Sequence, residues 1–283
     1  MSADRFDIHR QQPNLGSGSY ATVYEATDRQ AATSFAIVAK VAALNTESEQ
    51  ETFRTERDVY RLLMAAPPHP HIVQCVAMYT ARHHGILILE RFKGTTLRQH
   101  IQDCGAMAEA DMRHCLRQIV SAMSFLHAKN IGLRDLKTEN VSYDPETRTC
   151  QLFDFGLAVI LGRPGGTTHG SKGSPLFMAP EVLQDHQYDP LQADYWTLGQ
   201  LVYSMVTGMA MFGACTNLKN LKETVKQCQW SGGVPHVKDS TTMTPWTKAL
   251  ILQLCAYAPS KRWTLQHVEG WFSLNSLEVK ACT

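Results

Sequence analysis

The sequence has no excess of charge of either sign. Its 283 residues include 27 Lys and Arg against 26 Asp and Glu, a formal net charge of +1 with histidine neutral. Proteins that bind nucleic acid carry a marked basic excess, so we expect no nucleic-acid partner. The hydrophobic fraction of 44% with so little net charge also excludes a chain that is disordered throughout.

Long apolar runs are also missing. The longest, residues 35–44 and 86–89, are short or broken by charge, whereas a membrane-spanning helix needs about 18 apolar residues. Residues 1–7 have no apolar core of a signal peptide. We therefore expect an intracellular protein, cytoplasmic and/or nuclear, without a membrane span.

Closely spaced cysteine pairs, which mark most zinc sites, are absent too. The eight cysteines lie in apolar or mixed surroundings with no Cys-x-x-Cys pair, at positions 75, 104, 115, 150, 215, 228, 255 and 282. We interpret them as reduced thiols that serve mainly as small core residues.

The first third of the chain shows the period of strands, with one helix. Residues 49–64 carry apolar side chains at near-helical spacing and are followed by a proline-rich break. Strand patterns occupy residues 14–26, 35–41, 72–79 and 85–92, the last two joined by a polar turn at 80–84.

Helical patterns dominate after Gly94. Residues 111–129 place seven apolar side chains on one stripe, and helical periodicity continues from residue 193 with loops at 213–216 and 232–244. We expect an α+β chain with a strand-rich lobe ending near residue 90, a helix-rich lobe after it, and a ligand cleft between them.

Two segments of the first lobe suggest phosphate binding. The run Gly16-Ser-Gly-Ser-Tyr-Ala-Thr-Val23 could bring backbone N–H groups close to a phosphate, because glycine has no Cβ to obstruct the approach. A plain two-glycine turn between strands explains the same residues equally well. Lys40 ends the next apolar strand, where a snorkelling surface lysine is the ordinary alternative.

Three further motifs follow in order. Leu133-Arg-Asp-Leu-Lys-Thr-Glu-Asn140 precedes Asp154-Phe-Gly156, and Ala179-Pro-Glu181 comes later. With the glycine-rich run, these motifs resemble those of the eukaryotic protein kinase catalytic domain of the Ser/Thr type. The resemblance covers residues 6–273 and implies a bilobal kinase fold, with an N-lobe at about 6–90, a C-lobe at about 91–273 and a short tail at 274–283.

The resemblance also implies roles for individual residues in phosphoryl transfer. Asp135 would accept the proton of the substrate hydroxyl, with Lys137 near the γ-phosphate. Asp154 and Asn140 would hold magnesium. Lys40 would bind the α- and β-phosphates of ATP, oriented by Glu56, for which Glu49 and Glu51 are alternatives because they lie on the same helix. ATP would further contact Leu15, Gly16, Ser17, Gly18, Ser19, Tyr20, Ala21, Val23 and Val38, and the segment between the lobes with Leu89, Glu90 and Phe92.

The chain departs from the family pattern at five positions, of which Ala21, in place of the third glycine, and Thr138, in place of a proline, matter less. Leu133 replaces a His or Tyr, Val38 replaces a smaller alanine above adenine, and Ser142 replaces an apolar residue below it. The last two changes could weaken the binding of adenine. All charged residues of the mechanism are present, which favours an active enzyme over a catalytically weak or silent pseudokinase that acts as an interaction scaffold.

The substrate implied is a protein serine or threonine, since Lys137 and Ser174 match the Ser/Thr pattern of the family. A small-molecule phosphotransferase of related fold would normally lack the Ala179-Pro-Glu181 segment. Arg134 suggests control by phosphorylation of a later loop, with Thr167, Thr168 and Ser171 as the available hydroxyls. The oligomeric state is not readable.

Overall fold

A computed structural model describes residues 5–272 apart from 19, 31–35, 185–186, 231–233, 239 and 241–242. These residues form two compact units. The first contains Met1–Lys93 and Phe153–Ala158, and the second contains Gly94–Leu152 and Val159–Thr283, each within its described part. Within the described ranges, no helix is both long and apolar enough to cross a bilayer.

The first unit is built on an antiparallel sheet of six strands. Its order is β1-β3-β4-β6-β5, with β2 paired to β3. The alternation of side chains buries one face around Ile37, Ala39, Ile86 and Ile88. The strands are β1 Phe6–Ile8, β2 Gly16–Ser17, β3 Ala21–Asp28, β4 Ile37–Ala43, β5 Cys75–Ala81 and β6 His84–Glu90.

The helix of this unit, α1, runs from Glu47 to Met64, two residues longer than the predicted 49–64. Thr46 caps it, because the Thr46 hydroxyl accepts from the Glu49 N–H while the Glu49 carboxylate accepts from the Thr46 N–H. Because of this capping box, α1 begins at Glu47, before its first apolar residue, Phe53. Phe53, Glu56, Val59 and Tyr60 form the buried face of α1.

The second unit is mainly helical. Its core surrounds fully buried side chains such as Leu116, Ile119, Trp196 and Leu250. The helices are α2 Leu97–Cys104, α3 Glu109–His127, α4 Pro180–Leu183, α5 Pro190–Thr207, α6 Leu218–Trp230, α7 Pro235–Lys238 and α8 Pro245–Leu254, and residues 265–272 are also helical.

Short strands accompany these helices and form two small sheets. One has the order β10-β9-β7, and the other pairs β11 with β8. The strands are β7 Thr95–Thr96, β8 Ile131–Gly132, β9 Val141–Asp144, β10 Thr149–Leu152 and β11 Val159–Ile160. The predicted α+β class is confirmed.

Three expectations need correction. Helix α7 lies inside the region predicted as a loop, where Pro235 provides a suitable first helical residue. The β5–β6 turn is two residues long, with Arg82 at φ +53°, rather than the five of residues 80–84. The reduced-thiol interpretation is wrong for Cys115 and Cys150, which form a disulfide because α3 packs on β10. Cys282 and the predicted tail lie outside the described residues.

Candidate active site

Lys40 lies at the centre of a cluster of charges in the first unit. Its Nζ donates to both Glu56 carboxylate oxygens at 2.7 and 2.8 Å and to Asp154 Oδ1 at 2.9 Å. Burial alone would lower the pKa of Lys40, but the Asp154 and Glu56 carboxylates outweigh burial and raise it. Lys40 is therefore held as a cation between an almost fully buried carboxylate and one whose side chain is 43% exposed.

The two alternative glutamates of α1 do not take this position. Glu49 belongs to the capping box, and Glu51 is exposed. Glu56 is 3% exposed and lies on the same face of the helix as Val59 and Tyr60. The Tyr60 ring packs edge-on against Phe155, with ring centroids 5.3 Å apart.

The glycine-rich run forms the β2–β3 turn. Gly16 pairs with Val23 and Ser17 with Thr22, and the Gly18 N–H donates to the Ala21 carbonyl at 2.9 Å. A Cβ at Gly16 would meet no atom within 4 Å, so open space adjoins the backbone there. Leu15 and Tyr20 are exposed beside the turn, and Ser19 lies outside the described residues.

The register of the sheet aligns the remaining nucleotide-contact candidates of the first unit. Lys40 on β4 stands opposite Val23 on β3 and Leu87 on β6. Val38, two residues before Lys40, stands opposite Leu89 on β6. At the end of β6, Glu90 donates its N–H to the Gln74 carbonyl. Within the described part of the chain, no protein group accepts from the Phe92 N–H.

Phe153 also belongs to this region, and sequence reasoning missed it. Its ring stacks on that of Phe92, with centroids 5.1 Å apart and an interplanar angle of 28°. Phe153 directly precedes Asp154, and both rings are partly exposed. Its place beside a recognised motif was the signal that could have identified it.

The second unit brings together Asp135, Lys137, Asn140 and Ser174. Asp135 Oδ2 accepts from Lys137 Nζ at 2.7 Å and from Asn140 Nδ2 at 3.1 Å, while Oδ1 accepts from the Ser174 N–H at 2.9 Å. Lys137 Nζ also donates to Ser174 Oγ at 2.7 Å. Three donors thus orient one carboxylate.

The Asn140 amide has a defined orientation. Its nitrogen donates to the Asp135 backbone carbonyl at 2.9 Å as well as to the Asp135 carboxylate. Only the amide oxygen then remains to bind a ligand, and oxygen is the donor that Mg²⁺ prefers.

Ser142, one of the departures from the family pattern, is 2% exposed. Its hydroxyl accepts from the Gln151 N–H at 3.1 Å and donates to the Gln151 carbonyl at 3.3 Å. The hydroxyl is therefore satisfied by β10.

The backbone before Asp135 is anchored by a fully buried aspartate of α5. Asp194 accepts from the Leu133 N–H at 2.8 Å, the Arg134 N–H at 2.9 Å and His127 Nε2 at 2.9 Å. These contacts hold Arg134 at φ +64°, an uncommon conformation for a residue with a side chain. They satisfy a buried charge that would otherwise be costly.

A second buried ion pair joins α4 to the segment after α8. Arg262 donates to the two carboxylate oxygens of Glu181 at 2.6 and 2.7 Å, and to the carbonyls of Ala256, Gln192 and Tyr257. The Arg262 side chain has no exposed surface.

Comparison with known proteins agrees with this arrangement. The sequence model described as "Protein kinase domain" matches residues 9–270. The chain belongs to the protein kinase family. The predicted kinase fold and the recognition of the family are thereby confirmed.

Several curated kinases resemble this kinase domain. A probable myosin light chain kinase of Dictyostelium discoideum is 28% identical over 91% of the chain and 64% of its own length. Sperm motility kinase 3A of Mus musculus is 34% identical over 78% of the chain and 42% of its own length. Serine/threonine-protein kinase ATG1c of Arabidopsis thaliana is 31% identical over 76% of the chain and 29% of its own length. The chain thus spans less than two thirds of each of these relatives, which support the predicted Ser/Thr type of kinase domain.

The loop of this kinase domain that carries the candidate phosphorylation sites forms hydrogen bonds with neighbouring segments. Thr168 pairs with Tyr188 through two backbone hydrogen bonds, and Ser171 Oγ donates to the Val182 carbonyl at 2.8 Å. Arg134 Nη2 donates to the Gly170 carbonyl at 3.1 Å. Control by phosphorylation of this loop stays a prediction.

Proposed function

We propose that this kinase domain transfers the γ-phosphoryl group of Mg-ATP to a serine or threonine hydroxyl of a protein. The observation that carries the proposal is the carboxylate of Asp135, oriented by Lys137, Asn140 and the Ser174 N–H. Phosphoryl transfer depends mainly on positioning and on neutralising charge, and this cluster supplies an oriented acceptor beside a cation. Residues 6–273 are the proposed catalytic domain.

Asp135 accepts the proton of the substrate hydroxyl as the hydroxyl oxygen attacks phosphorus. Lys137, 2.7 Å from Asp135, places positive charge where the transferring group gathers negative charge. The hydrogen bond from Lys137 to Ser174 fixes the position of that ammonium group. A protein substrate with Ser or Thr at the reacting position is the proposed partner.

The nucleotide is assigned to Lys40, the glycine-rich turn and the segment after β6. Lys40, fixed by Glu56, binds the phosphates, and the open space beside Gly16 allows the backbone N–H groups to approach them. The Phe92 N–H and the Glu90 carbonyl bond the adenine. The Phe92–Phe153 pair adds an aromatic surface next to the base.

Asp154 and Asn140 are the proposed magnesium ligands. Their donor set fits, because each can present an oxygen: the Asp154 side chain is 43% exposed and the Asn140 nitrogen is already bonded to Asp135. Magnesium, when bound, neutralises charge on the phosphates. The intracellular location, cytoplasmic and/or nuclear, stays a prediction.

A thermal-shift titration with Mg-ATP tests nucleotide binding. A ligand that binds only the native state stabilises it by about 2.7 kcal/mol at a hundredfold excess over Kd. We expect a shift that needs magnesium and is lost in Asp154→Asn and Lys40→Ala, but is retained in Asp58→Asn, which alters an exposed ion pair of α1. No shift at millimolar Mg-ATP from a folded sample would favour the pseudokinase scaffold.

Phosphate transfer from radiolabelled ATP to Ser, Thr and Tyr peptide pools tests the reaction. We expect label on Ser and Thr, and a loss of at least a hundredfold in kcat for Asp135→Asn with little change in nucleotide affinity. Label on Tyr alone, or full activity of Asp135→Asn, would contradict the proposal.

A further inference from the structure

Cys115 of α3 and Cys150 of β10 are joined by a disulfide in the second unit. Their Cα atoms are 5.9 Å apart, within the range that a disulfide can bridge. Both side chains are fully buried. None of the proposed catalytic steps uses either sulfur.

A set of polar contacts holds the two cysteines together independently of the covalent bond. Gln118, one turn along α3 from Cys115, accepts from the Cys150 N–H at 2.6 Å and donates to the Arg148 carbonyl at 2.9 Å. Arg148 also pairs with Asp111 at 3.3 Å. Because these contacts fix β10 against α3, the reduced thiols would stay within bonding reach of each other.

The bond encloses the proposed catalytic loop, residues 133–140. The two cysteines are separated by 35 positions, and the segment between them contains Asp135, Lys137 and Asn140. A cross-link at both ends of a segment restricts the open conformations available to it. The oxidation state of the pair therefore acts on the local stability of the loop that carries the proposed base.

We propose that Cys115 and Cys150 form a redox-responsive bridge that stabilises the catalytic-loop segment when it is oxidised. The inference rests on the proposed function only for the catalytic role of this segment, and formation of the bridge does not depend on that role. The modification is the oxidation of these two thiols to a disulfide, with a hydroperoxide as the oxidant.

The chemistry balances with hydrogen peroxide. One thiol releases its proton, its sulfur attacks a peroxide oxygen and the O–O bond breaks, which leaves a sulfenic acid and a hydroxide that takes up the released proton to become water. The second sulfur then attacks the sulfenic sulfur, the S–O bond breaks, and the disulfide forms with a second water. Two thiols lose two electrons in total, and the peroxide gains them. Because both sulfurs are buried, oxidant and reductant reach them during local opening, so both reactions are slow.

The test compares the whole protein purified in a phosphine reductant with the same protein treated with hydrogen peroxide and then catalase. Peptide mass spectrometry without reduction reports the bridge, thermal unfolding reports stability, and amide hydrogen exchange reports the opening of residues 131–144. The variants are Cys115→Ala, which cannot form the bridge, and Cys104→Ser, which removes an exposed free thiol.

We expect the oxidised wild type to give a Cys115–Cys150 peptide. Its Tm should be higher by about 6 °C, as follows for a loop of this length in a chain of this size. Amides of residues 131–144 should exchange at least tenfold more slowly. Cys104→Ser should behave as the wild type does, and Cys115→Ala should show no difference between the two treatments.

Failure to form the bridged peptide after oxidation overturns the proposal, as does a bridged protein with unchanged Tm and exchange. Neither readout needs kinase activity. Absence of phosphate transfer in both redox states would instead count against the proposed function and leave the bridge standing.

Discussion

The buried ion pair of Glu181 and Arg262 allows us to predict the size of a change in the free energy of unfolding. Replacing Glu181 with Gln keeps the shape of the side chain but leaves the guanidinium of Arg262 uncompensated in a site where Arg262 has no exposed surface. Removing one partner of a buried ion pair costs about 3–5 kcal/mol. Since the Glu181 side chain is 14% exposed and Arg262 keeps three carbonyl acceptors, we expect about 3 kcal/mol.

The assay is thermal unfolding of Glu181→Gln beside the wild type at pH 7. Unfolding entropy for a chain of this length is about 0.6 kcal/mol/K, so 3 kcal/mol lowers Tm by about 5 °C. Asp58→Asn is the matched control, because Asp58 pairs with Arg57 and Arg61 at the partly exposed surface of α1, where each such pair contributes under about 1 kcal/mol. If Glu181→Gln lowered Tm no more than Asp58→Asn does, the stabilising role assigned to the buried pair would be refuted.

Three further changes test other parts of the structure. Gly199→Ala should cost about 1–3 kcal/mol in chemical denaturation, because a Cβ there would lie 2.5 Å from a buried sulfur, whereas Gly162→Ala, in open space, should cost little; equal effects would contradict the packing of α5. Glu49→Gln should lower Tm at pH 7, because hydrogen bonds from Thr46 lower the pKa of Glu49 below its ordinary 4.5. The stability from this carboxylate is present above its ordinary pKa and is lost as pH falls through the lowered pKa, so the Tm difference between the two proteins should shrink at acid pH. A Tm difference that stays constant with pH would contradict the role of this carboxylate. Phe153→Ala should raise the Kd for Mg-ATP by about 5- to 100-fold in calorimetry, from the loss of base stacking, and a change under twofold would exclude a base contact.

Much of the first unit could be predicted because its signals are local. The alternation of apolar residues in β4 and β6 reflects one buried face of a sheet, and the spacing in α1 reflects one buried stripe. Glu56 could be distinguished from Glu49 for the same reason, since its neighbours on the helix are apolar. The structure places Glu49 in the cap of α1.

The missed features depend on contacts between residues far apart in the chain. The stack of Phe92 on Phe153 and the bond between Cys115 and Cys150 arise from packing across 61 and 35 positions. The strands of the second unit are two to four residues long, too short to show a period. In such short segments, the strand propensity of the residues has less influence than the tertiary contacts that pair the strands.

The anchoring of the catalytic loop by Asp194 has a consequence for mutational tolerance. Asp194 holds Leu133 and Arg134 through their backbone N–H groups, which every residue except proline provides. The position of the loop therefore does not depend on which side chain stands at position 133. That side chain is constrained only by the volume it must fill. A library that randomises position 133 should retain many folded variants of differing side-chain chemistry. The same library at position 194 should retain few, since every residue without a side-chain acceptor leaves three donors unpaired at once.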